Sequence, residues 1–182
     1  MPVLTPGAWA QSKYKTLYKF SGGKDGRSPQ ASLTFDQAGN LYSTTYSGGP
    51  HNLGTVFKLT PNADGSWRES VLHSFCSRTN CGDGAEPPAS LIFDQAGNLY
   101  STTNYGGDVS CNTGYGCGVV FKLVPNSNGG WKETVLHTFF DHPGVYPSAG
   151  VIFDPAGNLY GTTLGDGREN RGTFGSVFEI TP

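Results

Sequence analysis

At 182 residues, with 27 Gly, 12 Pro, 11 Phe, 9 Tyr, 3 Trp and 14% charged residues, the chain is sized for one core and composed for short strands and tight turns rather than helices. A formal charge of -2 with interspersed signs excludes the clustered basic surface that nucleic acid requires. No apolar run is long enough to span a bilayer as a helix.

In chain order, residues 1–12 come first. Ala8-Trp9-Ala10 before Gln11 has the small-x-small form of a signal-peptidase site, whereas Met1 to Gly7 supply neither a basic start nor an apolar core. Residues 1–12 therefore read either as the remnant of a shortened leader or as an irregular tail.

Residues 13–182 form a single domain of three repeats. The ruler is FDQAGNLY at 35–42, which returns at 93–100 and, as FDPAGNLY, at 153–160; the spacings of 58 and 60 residues fall in the range of propellers and solenoids. Each unit carries four strand signals separated by Gly, Pro, Asn and Asp clusters. In the first these are KYKTLYKF (13–20), ASLTFD (31–36), NLYSTTY (40–46) and GTVFKLTP (54–61). The second has WRESVLHSF (67–75), ASLIFD (89–94), NLYSTTN (98–104) and GVVFKLVP (118–125). The third has WKETVLHTF (131–139), AGVIFD (149–154), NLYGTTL (158–164) and GSVFEITP (175–182).

Four antiparallel strands per unit make a propeller blade. ASLIFD suits the crowded innermost position, and WRESVLHSF, which alternates charged and apolar residues, suits the outer edge. The chain thus begins on an outer strand and ends on a third strand. The expected fold is an all-β β-propeller with three four-stranded blades per chain. Closed propellers have about 4–8 blades, so a six-bladed ring is expected from a head-to-tail homodimer, each N-terminal strand completing the partner's last blade. A fragment of a longer repeat array is the alternative.

The long connections, 21–30, 76–88, 140–148, 46–54, 104–117 and 164–175, share one face, and irregular loops on the rim of a rigid scaffold are where function is carried. Both cysteine pairs lie there. Cys76 with Cys81 and Cys111 with Cys117 have no CxxC spacing and no histidine cluster, which favours disulfides over zinc and implies an oxidising compartment. Three connectivities are open. Asp36, Asp94 and Asp154 belong to D-x-x-G turns on the opposite face and read as turn formers. His73 and His137, with Tyr18 at the equivalent position, read as packing.

The combination of GGxxxxGTVFKLTP, VLHSF, DGxxPxAxL and FDxxGNLYxTT resembles the GloVer tandem-repeat family of secreted bacterial proteins over residues 13–182. That resemblance implies an extracellular propeller-like fold and no general activity. More loosely, the blade frame is similar to the gluconolactonase and paraoxonase-like propellers, which implies a calcium-dependent lactonase. At the positions matching the ligands of those enzymes this chain has Ala31, Ala89 and Ala149, so ligands would have to come from neighbouring loops.

The loop face collects Asp25, Asp83, Glu86, Asp108, Asp141, Asp166 and Glu169 with His51 and His142. Calcium takes 6–8 oxygen ligands, and Asp25, Asp83, Glu86 and Asp108 are the candidate set. A bound calcium would polarise a lactone carbonyl while a base activates water; the candidate bases are His142 beside Asp141, then His51. The expected function is a secreted or periplasmic calcium-dependent hydrolase of lactones, with N-acyl homoserine lactones, and so quorum quenching, as the substrate class. The alternative is a non-catalytic extracellular module that binds carbohydrate or protein through loop aromatics such as Tyr105, Tyr115, Tyr146 and Phe174. Neither nucleic acid nor membrane is an expected partner.

Overall fold

The computed structural model describes residues 13–140, 144–165 and 174–181, so the leader-or-tail question at 1–12 lies outside the described residues. The chain is all-β, with three antiparallel sheets in series. The first contains β1 (Thr34–Phe35), β2 (Leu41–Thr45), β3 (Thr55–Pro61) and β4 (Trp67–Ser74), hydrogen-bonded in that order. The second repeats it with β5 (Ile92–Phe93), β6 (Leu99–Thr103), β7 (Val119–Pro125) and β8 (Trp131–Thr138). The third has β9 (Ile152–Phe153), β10 (Leu159–Thr163) and β11 (Ser176–Ile180). No helix among the described residues is long and apolar enough to cross a membrane.

The recurring FDxxGNLY motif builds the first hairpin of each sheet. One oxygen of Asp94 accepts the amides of Ala96 and Asn98, and the other accepts the Asn98 side chain and the Tyr100 hydroxyl. Asp36 and Asp154 repeat the same bonds. Gly97 takes φ +81°, a conformation that a side chain disfavours. Burial raises the Asp94 pKa, but these bonds outweigh it and hold the carboxyl below its usual range. The motif aspartates are turn fasteners, as their position implies.

The first strand of each sheet is shorter than its sequence signal. Upstream of Ile92, the segment spends its carbonyls elsewhere: Ser101 Oγ donates to Ser90 O at 2.9 Å, and Thr44 Oγ1 of the preceding sheet donates to Ala89 O at 3.2 Å. These hydroxyl bonds tie adjacent sheets together where a longer ladder would tie only one. Thr102 repeats the contact onto Ala149 O.

The apolar core consists of the seams between consecutive sheets. Tyr42, Val56, Leu72 and Phe75 of the first sheet meet Leu91, Phe93, Phe121 and Leu123 of the second. Tyr100, Val120 and Phe139 of the second meet Val151, Phe153 and Phe178 of the third. Pro87 crosses the first seam so closely that a Cβ on Gly54 would lie 2.5 Å from its Cδ, and Gly54 has φ +97°.

Residues 13–20, expected to complete a sheet of a second copy, form no ladder within the chain, where the outer edge of the first sheet is taken by β4. Leu17, Tyr18 and Phe20 instead pack on the face of that sheet, against Leu41, Phe57 and Leu59.

Glu69 on β4 lies half-buried near Asp25, and Glu133 on β8 is buried against Arg78 across the first seam. Burial, and then the Asp25 carboxylate, push Glu69 up to about 7, and burial raises Glu133 against the pull of Arg78. A carboxyl that binds its proton more tightly when folded stabilises less as pH rises from its unfolded value of about 4.3 through its folded one. Thermal stability is therefore expected to fall as pH rises from about 4.5 to above 7. Glu69→Gln should flatten that slope in a melting series; an unchanged slope would show that Glu69 titrates normally.

Candidate functional site

The long loops converge on one face through bridges between Arg27 and Ser47, Ala85 and Tyr105, and Val145 and Gly165. Both cysteine pairs are bonded within their own loops, Cys76 to Cys81 and Cys111 to Cys117, which resolves the three connectivities and sets the chain in an oxidising compartment. Each short loop closure removes about 2 kcal/mol of unfolded-state entropy in the chain-entropy account. The first bridge also positions Cys81, whose carbonyl accepts the amides of Gly84 and Gly107 and so joins the two loops of the second unit.

The candidate ligands do not gather. Asp25 accepts the Ser21 amide, the Ser21 hydroxyl and the Tyr18 hydroxyl, a local clasp after the outer segment. Asp83 is fully buried and accepts the Ser77 amide and hydroxyl and the Arg78 amide, with His73 Nε2 3.1 Å from its Oδ2. Asp108 accepts the Ser110 amide in a turn. Glu86 stands apart from these on the wall of a cleft. Among the described residues no three His, Cys, Asp or Glu side chains are grouped to hold a metal ion. His51 is exposed on the β2–β3 loop, and Asp141, His142, Asp166 and Glu169 lie outside the described residues.

Sequence reasoning assigned His73 to packing alone, yet it also holds Asp83. The signal was the exchange of His73 for Tyr18, since both rings carry a donor that reaches the aspartate of the following loop. Also missed was Arg78, whose Nη2 lies 2.5 Å from Glu133 Oε2 and bonds the Glu133 carbonyl, fastening the first loop to β8.

What the face does form is a cleft of about 780 Å3 lined by Leu53, Ala85, Glu86, Tyr105, Val109 and Tyr115, among others. Tyr105 is its hub, with ring centroids 6.5 Å from Tyr115 and 5.7 Å from Tyr146. Tyr115 is 70% exposed. Burial and then a hydrogen bond to the Glu86 carboxylate push the neighbouring Tyr46 phenol up to about 12.

Glu86 enters the cleft from a strained backbone. It has φ +54°, and the residues at the same place in the other units, Ser28 and Tyr146, have +60° and +57°. Each is followed by proline, Pro29, Pro87 or Pro147. A left-handed non-glycine conformation repeated three times is maintained by its surroundings: the Glu86 amide donates to Leu53 O across the seam, and the Tyr146 amide to Cys117 O. One loop position therefore displays a different side chain in every unit on an identical frame.

Rigid frames with variable loop residues are a property of repeat proteins, and the match to known repeats decides the family. A family model described as the Gloeobacter/Verrucomicrobia repeat matches residues 4–182. The chain belongs to that family. No curated protein matches it significantly, and a calcium-lactonase relationship rests on the looser blade similarity alone.

Asp83 tests how the loop is held. Its hydrogen bonds, with His73 first, bring the carboxyl down to about 2 against burial, so its contribution is present above pH 4 and is lost as pH falls toward 2. Asp83→Ala is expected to cost about 3 kcal/mol, because the donors from Ser77, Arg78 and His73 are left unpaired. Denaturant unfolding at pH 7 measures it; a loss below about 0.5 kcal/mol would mean that the loop is held without this clasp.

Proposed function

We propose that the chain is a secreted binding module that takes a saccharide in the tyrosine-lined cleft, within a propeller-type ring of six sheets to which a second copy contributes three. The observation that carries the binding reading is the cleft itself. Tyr105 and Tyr115 offer aromatic faces beside the Glu86 carboxylate, and Tyr115 is largely uncovered, whereas the motif tyrosines Tyr42 and Tyr100 are buried. A sugar ring has an apolar C–H face and a hydroxyl rim. The negative face of a tyrosine attracts the first, and a carboxylate accepts from the second. The volume falls within the ~300–1000 Å3 of small-molecule sites.

A ring of six such sheets lies within the range of about 4–8 blades over which propellers close.

Calcium-dependent lactone hydrolysis asks for several oxygen ligands around one point and a base near it. Asp25, Asp83 and Asp108 are each occupied in local clasps instead. The binding reading needs no rearrangement of those clasps, which is why it is preferred.

Calorimetry against neutral cello-, xylo- and chito-oligosaccharides tests it. At least one series is expected to bind with a submillimolar Kd, and Tyr115→Ala to weaken it tenfold or more. Glu86→Gly should weaken binding while leaving the melting temperature undiminished, since glycine adopts φ +54° without strain. No binding across the panel, or indifference to Tyr115→Ala, would refute the site. On the same sample, N-acyl homoserine lactone with calcium is expected to release no protons above background; chelator-sensitive release would replace binding by hydrolysis.

A further inference from the structure

The two seams between sheets are copies of one design, and the N-terminal segment repeats one side of it. At the first internal seam, Phe75 at the end of β4 packs on Phe121 of the next sheet, with ring centroids 5.1 Å apart, and His73 packs on Phe75 at 4.8 Å. At the second, Phe139 packs on Phe178 at 5.2 Å and His137 on Phe139 at 4.8 Å. Residues 13–20 repeat this against the first sheet: Phe20 packs on Phe57 at 4.9 Å and Tyr18 on Phe20 at 5.1 Å. The Tyr18–Asp25 bond likewise repeats the His73–Asp83 contact. The N-terminal segment thus sits where the outer strand of a preceding sheet would sit.

The rest of that seam is open on both sides. Leu91 and Val151, which plug the internal seams, are each 1% exposed, whereas Leu33 at the same position is 53% exposed, and Phe35 is 65% exposed. Their internal partners are the residues at Val56 and Val120, both 0% exposed; the third sheet has Val177 there, 79% exposed. Thr162, equivalent to the buried Thr44 and Thr102, is also exposed. Leu33 and Phe35 at one end, and Val177, Thr162 and Leu164 at the other, are thus all exposed.

The free edge of β11 fits the unpaired segment as well. In the first sheet Val56 pairs with His73 and Lys58 with Ser70, and in the second Val120 pairs with His137 and Lys122 with Thr134. Carried to β11, the same register puts Val177 opposite Tyr18 and Glu179 opposite Lys15. The charge at this β11 position is reversed relative to Lys58 and Lys122, and a lysine faces it. Opposite charges directly across an antiparallel pair are favourable.

We infer that two copies of this chain join head to tail, residues 13–20 of each completing the third sheet of the other through a Glu179–Lys15 pair, with Leu33 and Phe35 seated on Val177 and Tyr160. By analogy with the Glu86 and Tyr146 amides, Ser28 N–H donates to Phe174 O of the other copy, and Pro29 packs on Gly175 as Pro87 packs on Gly54. The interface is heterologous, and it closes because the second copy returns the same pair of surfaces. This rests on the six-sheet reading above, but the cleft lies between the first and second sheets of one chain, so the two can fail separately.

Light scattering after size exclusion tests it. The chain is expected to elute at twice 19.3 kDa. Val177→Asp should give monomers. Glu179→Lys and Lys15→Glu should each weaken association at least tenfold, and the two together should restore it, a rescue that misfolding cannot produce. Circular dichroism on Glu179→Lys checks that the exposed-edge variant keeps its strands. A monomeric wild type at 100 μM, a dimer indifferent to Val177→Asp, or no rescue by the double reversal would overturn the inference, and open filaments would overturn the closed ring. Saccharide titration of the Val177→Asp monomer separates the two proposals, since the cleft should still bind.

Discussion

Burial of an inner-strand residue against the preceding sheet is the interaction on which this structure depends. Leu91 and Val151 are each 1% exposed because Tyr42 and Val56, or Tyr100 and Val120, close over them. Full burial of such a side chain is worth about 1.5–3 kcal/mol, and no single sheet can supply it. The rest of the seam serves that burial. Gly54 has no Cβ, so Pro87 can approach, and Thr44 and Thr102 spend their hydroxyls on inner-segment carbonyls that a longer ladder would have used. The sheets are accordingly stable as a series, as in other repeat proteins where each unit contacts only its neighbours.

The same constraint explains how much could be read from sequence. The period, the all-β class, the four strands of the first two sheets and the common face of the long loops follow from local patterns that a turn or an alternation writes directly. The role of Asp94 was legible for the same reason, since its partners Ala96, Asn98 and Tyr100 are within six residues. Contacts across seams were not. His73 looked like packing because Asp83 reaches it through a loop of ten residues, and Arg78 meets Glu133 across a separation of 55. Residues 13–20 carry a strand pattern, but pattern alone does not say whether the edge they need is free within the chain.

The candidate site was legible in place but not in membership. Acidic residues on the loop face suggested metal ligands, yet an aspartate two to six residues from a Ser or backbone amide closes a local turn before it reaches another loop. Asp25, Asp83 and Asp108 all do so. Among the described carboxylates considered as ligands, Glu86, on a left-handed residue, lines the cleft with Tyr105 and Tyr115. Three units carry Ser28, Glu86 and Tyr146 on the same left-handed frame, which places chemical variation where the backbone does not depend on it.

If completion of each sheet by a neighbour governs the whole chain, the edge strand of the third sheet must be as well protected as its equivalents. Amide hydrogen exchange over Ser176–Ile180, measured at high and low protein concentration, tests this most directly. The account predicts protection on the side facing away from β10 that matches β3 and β7 at high concentration and fades on dilution. Exchange at the rate of an open strand edge at every concentration would contradict it.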